Sequence, residues 1–543
     1  MSSLYSRLQV LIVDDFNSFR MTLSKIMHEM GFHNVDSVGT GEEALNYCRK
    51  NHYDLILSDY NLGQGKNGQQ FLEELRINKL LKPQDIFILL SAETSRNVVM
   101  SAYDCEPDAY LTKPITTKVI EQRLKRLMNK RSEMIEVYDA LAKKNQQEAI
   151  VQLEKKLSER TRYGMDCQKL LADLYIQNDQ LEKAEKIYRT VLEMRALDWA
   201  QVGLADVKVK RGDPSKAVEW LNKIIEENPS CMRAYDVLSQ ALEKLNEQEK
   251  LQKNLEKAVE VSPMSLGRQV SLANVAMNNG DAEVAANAFR KMMKYGENSC
   301  HDNVDNKLNY VKAIAQFYDK DAVKADELSK DAVKILSDIE SSDLLDSGLK
   351  IKTQLLGSQI WGSKGEAKKS RELLEFANDA LADSIDNTIE MEIEVVNALV
   401  ANKRIEESQK KITGLIEKYQ DDQSALEKID PLLQEPVSEK GKKMLAQSNK
   451  KGIDSYKNKN YEAAIDYFSR VENRYPRYVG VKLNLLQTLI GKIKDEGINS
   501  ADKSRCVSII KTVEKSMTPN SSQFNRYRQL KEMLNSLVGN SSR

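Results

Sequence analysis

Two carboxylates, Asp14 and Asp15, stand side by side directly behind the apolar run "LQVLIV" at residues 8–13. A third acid, Asp59, closes a second apolar run, "YDLILSD". Ser91 falls at the end of "DIFILLSA", and Lys113 precedes Pro114 at the end of "DAYLTKP". Adjacent carboxylates repel one another, so a chain that places them at the end of a buried segment needs a cation there. An oxygen-rich pocket of this kind suits a hard divalent ion such as Mg2+, which would also polarise an incoming phosphoryl group. Lys113 offers a fixed positive charge for phosphate oxygens, and Ser91 a hydroxyl. An aspartate nucleophile, a metal and a lysine can together hold an acyl phosphate. The chemistry these residue types suggest is reversible phosphoryl transfer onto a carboxylate.

That chemistry requires the residues to converge, and the elements around them indicate how. The four runs are near-continuous hydrophobic segments, with a weaker one, "NVDSV" (34–38), between the first two. Each is followed by a stretch at helical spacing, such as Phe19, Leu23, Ile26, Met27 and Met30. Uninterrupted apolar strands alternating with amphipathic helices predict a parallel sheet covered on both faces. The expected fold of residues 1–130 is therefore a five-stranded, doubly wound α/β domain of the flavodoxin-like type. Ligands in such sheets gather at the carboxyl ends of the strands, which is where Asp14, Asp15, Asp59, Ser91 and Lys113 all fall.

Beyond residue 131 the strand signal vanishes, and the chain turns to Ala, Leu, Glu and Lys with scattered Tyr. Self-comparison aligns Ala184, Ala217, Leu251 and Ala285, which advance by 33, 34 and 34 residues, while Pro229 and Pro263 are 34 apart. Small residues such as Ala172, Ala205 and Ala273 let paired helices approach closely, and Gly212 and Gly280 fit the turns. A period of this length is the mark of an all-α helical-repeat solenoid. Residues 131–300 read as such repeats, and 301–440 as divergent helical repeats whose spacing blurs. Residues 441–543 hold a clearer unit, with Gly452, Ala464, Phe468 and Pro476 in register, followed by capping helices. The stretch "QEPVSEKGKK" (434–443) is the best candidate for a break or hinge.

Composition narrows the function classes. Among 543 residues, Lys plus Arg and Asp plus Glu both total 81, so no net field recruits nucleic acid or anionic lipid. No apolar stretch approaches the roughly 20 residues needed to span a bilayer, and the N-terminus lacks a secretory signal core. Six scattered cysteines form no CxxC pair, and His28, His33, His52 and His301 show no metal-ligand spacing. The expected location is cytoplasmic.

Residues 5–128 resemble the receiver domain of two-component response regulators. The family's acidic pair matches Asp14 and Asp15, and its phospho-accepting aspartate matches Asp59. Its switch hydroxyl matches Ser91, its switch aromatic Tyr110, and its lysine–proline Lys113 and Pro114. The resemblance implies that Asp15 binds Mg2+ directly, Asp14 through water, and Asn61 through its backbone carbonyl, alongside Asp59. It also implies that Asn61 and Glu93 tune the decay of the phosphoryl group, pointing to a short-lived state. One departure stands out: Gly63 occupies the place where the family has proline, in a longer, glycine-richer loop ahead of Gly68. The helical region resembles tetratricopeptide repeats, though without the first-helix Trp.

Together the halves are similar to response regulators with a tetratricopeptide effector, of the VieB type. That likeness implies a sensor histidine kinase as phosphodonor, protein partners on the repeat surface, and room for a homodimer through the receiver. It implies no enzyme beyond self-phosphotransfer and autodephosphorylation. Phosphorylation would draw Ser91 and Lys113 toward Asp59 and let Tyr110 turn inward. The stretch "KVIEQRLKRLMN" runs into "KRSEMIEVYDALAKK" with no Gly or Pro, so a stiff junction is expected. The competing class is a transcriptional regulator with a cryptic DNA-binding unit in the C-terminal region. Net neutrality and the absence of a recognition-helix pattern argue against it.

Overall fold

The computed structural model describes residues 5–540 except 94, 96–99, 101–103, 319, 343–345, 383–387 and 517–522. Its described residues fall into two compact units, Met1–Val275 with Asn287–Asn306, and Ala276–Ala286 with Lys307–Arg543.

The first unit begins with five parallel strands: β1 (Gln9–Val13), β2 (Asn34–Val38), β3 (Leu55–Asp59), β4 (Ile86–Ser91) and β5 (Ala109–Thr112). Their order in the sheet is β2-β1-β3-β4-β5. Alternate side chains of a strand point to opposite faces, and here both faces are covered. Val10 and Ile12 join Leu55, Leu57, Ile88 and Leu90 in one apolar cluster with Met27, Phe32, Ile120 and Leu124. Leu11 and Val13 join Ile56, Phe87 and Leu89 in the other, with Leu45, Phe71, Leu72 and Leu75. Central strands β3 and β4 are buried at every position, which is why they read as unbroken apolar runs. Strand β2 lies at the edge with only Val38 fully buried, and its sequence signal is correspondingly weak.

The sheet is followed by a single 26-residue helix, Thr117–Ala142, as the uninterrupted sequence leads one to expect. Arg131 on this helix reaches back to Asp54 at the start of β3, with Nη2 2.5 Å from Oδ1.

Paired helices continue from Gln146 to Gly296. Their turns share one signature: Lys144, Asp179, Gly212, Asn246 and Gly280 all have φ between 54° and 87°. Those positions recur every 33 to 35 residues, so the structural repeat starts before the stretch in which self-comparison aligns. Small residues are needed where helices touch. A Cβ on Gly203 would fall 2.3 Å from the ring of the fully buried Tyr188.

Beyond Gly296 the pairs open at a wider spacing. Helices starting at Val304, Ser347 and Ile389 open successive pairs, 43 and 42 residues apart. The blurred spacing of this region is thus a lengthened period. The break expected at 434–443 is found only in its first half: the turn Asp430–Leu432 and the residues after it lead into the helix Glu439–Lys457, which takes in 439–443. The break is pinned: buried Asp430 accepts from the backbone N–H groups of Val437 and Ser438 at 2.7 and 3.1 Å, and from the Ser438 hydroxyl at 2.5 Å. Gly452 lies against Phe468, whose ring a Cβ would meet at 2.6 Å. Among the described residues no helix is long and apolar enough to cross a membrane.

Candidate functional site

Parallel pairing brings the carboxyl ends of the strands to one edge, with β1 and β3 adjacent and β5 one strand further on, beyond β4. Asp14, one residue past β1, is fully buried, and Asp59, the last residue of β3, is nearly so. The Lys113 ammonium sits between them, 2.8 Å from Asp14 Oδ2 and 2.9 Å from Asp59 Oδ2. Each carboxylate uses its other oxygen to accept a backbone N–H at 2.9 Å, from Phe16 and Tyr60 respectively. Burial pushes the Asp59 carboxyl above its ordinary range, with Lys113 opposing the shift. Burial works against the Lys113 charge as well, but Asp14 and Asp59 outweigh it and hold the ammonium above its usual range. The ring of Phe19 lies beneath that ammonium, 4.2 Å from centroid to nitrogen, and adds a cation–π contact.

Asp15 is exposed, and one ligand oxygen from each of Asp14, Asp15 and Asp59 lies within 4.8 Å of the others. Gly63, with φ +74°, leaves space beside Asp15: a Cβ there would lie 3.4 Å from Asp15 Oδ2. Its left-handed backbone, rather than lack of space, is what favours glycine where the family has proline, and the donor set fits a hard divalent cation. Asn61 is exposed, and its side-chain oxygen accepts from the Gly63 N–H at 3.2 Å.

The other two predicted residues meet at a third. Ser91 is buried, and its Oγ accepts from the Glu93 N–H at 2.9 Å. Tyr110, half-buried on β5, donates its hydroxyl to the Glu93 carbonyl at 2.8 Å. Serine and tyrosine thus hold the two ends of one peptide residue, while the Glu93 side chain is exposed. A movement of either would be felt by the other through Glu93.

Sequence reasoning overlooked two supports. Arg20 donates to the backbone carbonyls of Asp14 and Asp15 at 2.6 and 3.2 Å, fixing the acidic turn. Gly68 starts the helix Gly68–Ile77 against the phosphoacceptor candidate, where a Cβ would fall 2.0 Å from the Asp59 carbonyl oxygen. A basic residue one helical turn beyond the acidic pair was the available signal for the first. The second had only a glycine at a helix start.

Folding also gathers histidines that sequence spacing leaves apart. His52 Nε2 lies 3.3 Å from Asp85 and 4.0 Å from Asp54, and His301 Nε2 lies 3.1 Å from Glu73. Burial pushes the Asp85 carboxyl up to about 7, with the Lys82 N–H and Arg131 opposing. The folded protein then holds a proton that the unfolded chain releases near the ordinary carboxylate range. Stability contributed here falls as pH rises from about 4 to about 7, by about 2–4 kcal/mol. Asp85→Asn is expected to exceed the parent in urea resistance at about pH 8, with the gap closing toward about pH 4. A gap that does not change with pH would contradict this assignment.

With this geometry in place, comparison with known proteins is informative. Residues 10–125 match the response regulator receiver domain family, and 169–230 match a tetratricopeptide repeat family. Over 127 residues the chain is 26% identical to chemotaxis protein CheY-3 of Vibrio cholerae, covering 23% of this chain and 96% of that protein. It is 25% identical over 123 residues to chemotaxis protein CheY of Pseudomonas aeruginosa, covering 23% and 98%. A solved structure of Vibrio cholerae CheY4 is 28% identical over 22% of this chain and 98% of that one, with a TM-score of 0.21. The chain carries a CheY-like receiver domain of the flavodoxin-like fold, followed by a long all-helical region that includes tetratricopeptide repeats. The receiver match together with the repeat match supports a role in two-component signalling. Receiver domains generally bind Mg2+ through acidic residues, and the acidic cluster is present.

Proposed function

We propose that this chain is a phosphorelay response regulator whose receiver, 1–130, takes a phosphoryl group on Asp59 and thereby alters protein contacts made by its repeat region. The observation that carries the reading is the Lys113 ammonium held between buried Asp14 and Asp59, with exposed Asp15 beside them. An Asp59 oxygen attacks the phosphorus of a phosphohistidine on a sensor kinase. The P–N bond breaks, the imidazole leaves, and an acyl phosphate remains. Asp14, Asp15, Asp59 and the Asn61 carbonyl would hold Mg2+, which supplies charge neutralisation for the transferring group. Lys113 would follow the new phosphate oxygens. Ser91 would exchange its Glu93 N–H for the phosphoryl group, releasing the peptide that Tyr110 also holds. Attack by water later returns the carboxylate and inorganic phosphate, with Asn61 and Glu93 as the residues that tune this decay.

The effector half supports an interaction output. Helical repeats offer extended surfaces and rarely do chemistry. The reading is therefore a cytoplasmic adaptor of the VieB type that modulates another kinase or regulator, with pairing through the receiver as a further option for assembly. The test is capture of partners by the intact chain with and without a small-molecule phosphodonor and Mg2+. A partner whose recovery changes with donor, and not in Asp59→Asn, supports the reading; recovery indifferent to both removes it. The continuous helix Thr117–Ala142 is expected to carry part of the signal. A Gly-Ser insertion near residue 131 should weaken the donor-dependence of capture, and undiminished dependence would take the helix off the path.

A further inference from the structure

Within the first unit, two short stretches of the receiver meet the repeat helices; one begins beside Asp59, and the other lies in the connection that leaves β4. The first is the start of the helix Gly68–Ile77. Gln70 Nε2 donates to the carbonyls of Tyr295 and Glu297 at 3.0 and 3.3 Å. Lys66 donates to the Asn298 carbonyl, and Glu73 pairs with His301 at 3.1 Å. This strip is two residues from Gly68, which touches the backbone of Asp59. The second stretch lies past β4. Asp104 Oδ2 accepts from the Ser262 hydroxyl at 2.6 Å and pairs with Arg268 at 2.8 Å. Arg268 is itself aligned by Asp236, through bonds of 2.9 and 2.8 Å. Met100 packs on Met232, Tyr235 and Ala258, and Met264 packs on the receiver cluster that contains Phe71 and Leu72.

We propose that these two strips form a latch by which the receiver occupies a surface of its own repeats within the first unit, residues 232–268 and 295–301, and that phosphorylation of Asp59 opens it. The inference rests on the reading of Asp59 as phosphoacceptor. Its physical basis is the tie each strip has to the site. Gly68 has no clearance from Asp59, so a shift of that backbone is passed to Gln70 within half a helical turn. The second strip belongs to the same connection as Glu93, the residue whose backbone Ser91 and Tyr110 hold. The native occupant also describes what replaces it: a carboxylate for Arg268 next to an unbranched apolar side chain for the Met232–Tyr235 patch, as Asp104 and Met100 provide.

Hydrogen–deuterium exchange on the full chain tests the latch, reading residues 66–76, 258–270 and 292–303 with and without acetyl phosphate and Mg2+. Both strips should exchange about 5- to 150-fold faster in the phosphorylated parent, the range of ordinary coupling between sites, and remain protected in Asp59→Asn. Arg268→Glu should release the strips without donor, and the pair Asp104→Arg with Arg268→Asp should protect them again. If the phosphoryl mass is present while the strips stay as protected as before, or become more so, the latch is wrong and the reading of Asp59 stands. If no phosphoryl mass forms, the reading itself falls and takes the latch with it. An Arg268→Glu chain that keeps its protection also overturns the latch.

Discussion

Lys113→Ala is expected to lower the stability of the receiver by about 2–4 kcal/mol near neutral pH when no divalent cation is present. Removing one partner of a buried ion pair commonly costs about 3–5 kcal/mol, because the other charge is left without compensation. Here two carboxylates are left, Asp14 and Asp59, each with a single backbone N–H on its other oxygen. The lower estimate reflects a route of escape: Asp59 is already raised by burial, so it can take up a proton once the ammonium has gone. The sign follows from that. Loss of the cation raises the Asp59 carboxyl further, so the deficit is greatest above the carboxylate range and shrinks as pH falls through it. Urea unfolding of parent and variant at about pH 7.5 and about pH 4.5 measures both terms. Added Mg2+ should recover much of the deficit at the higher pH, since three acids would again face a cation. A variant as stable as the parent at high pH, or one blind to Mg2+, would show that Lys113 does not hold the two carboxylates together.

Gly68→Ala is expected to disturb stability and phosphoryl uptake together. The added carbon would fall 2.0 Å from the Asp59 carbonyl oxygen and 2.9 Å from the Ser58 hydroxyl. The first of these is backbone in a central strand that is buried at every position, so the helix must move. Overpacking of this kind costs about 1–3 kcal/mol. The helix start also carries an N-terminal capping box, Asn67 with Gln70, and the chain immediately before it includes Gly63, which lines Asp15. A displaced helix therefore disturbs the acidic turn as well as the strand end. Uptake of phosphoryl from a small donor should slow by about tenfold or more, the scale of a misplacement near 1 Å at a reacting group. Unchanged uptake would mean that the strand end is fixed independently of the helix.

Most of the positioning framework could be read from residue types. Strands β1, β3 and β4 are apolar on both faces because helices cover both, and that leaves the continuous runs. The acids and Lys113 were legible because parallel topology sends every strand's carboxyl end to one edge. Strand β2 was fainter, since an edge strand keeps polar residues. The repeats between 165 and 296 follow a constant period, whereas pairs starting at Val304, Ser347 and Ile389 follow a longer one that the 34-residue comparison blurs. Three features had little or no local signal. The grip of Ser91 and Tyr110 on the Glu93 backbone depends on loop path, and the fit of Gly68 under Asp59 depends on helix placement. The contact of Gln70 with Tyr295 joins groups 225 residues apart, and no periodicity marks such a pairing.

That Asp59, which shares the Lys113 ammonium with Asp14, accepts a phosphoryl group is the proposal on which the rest depends. Intact-mass measurement of the full chain, incubated with acetyl phosphate and Mg2+, addresses it directly. One added phosphoryl group is expected, dependent on Mg2+, decaying on standing and missing from Asp59→Asn. No added mass in the parent, or the same added mass in Asp59→Asn, would contradict the proposal.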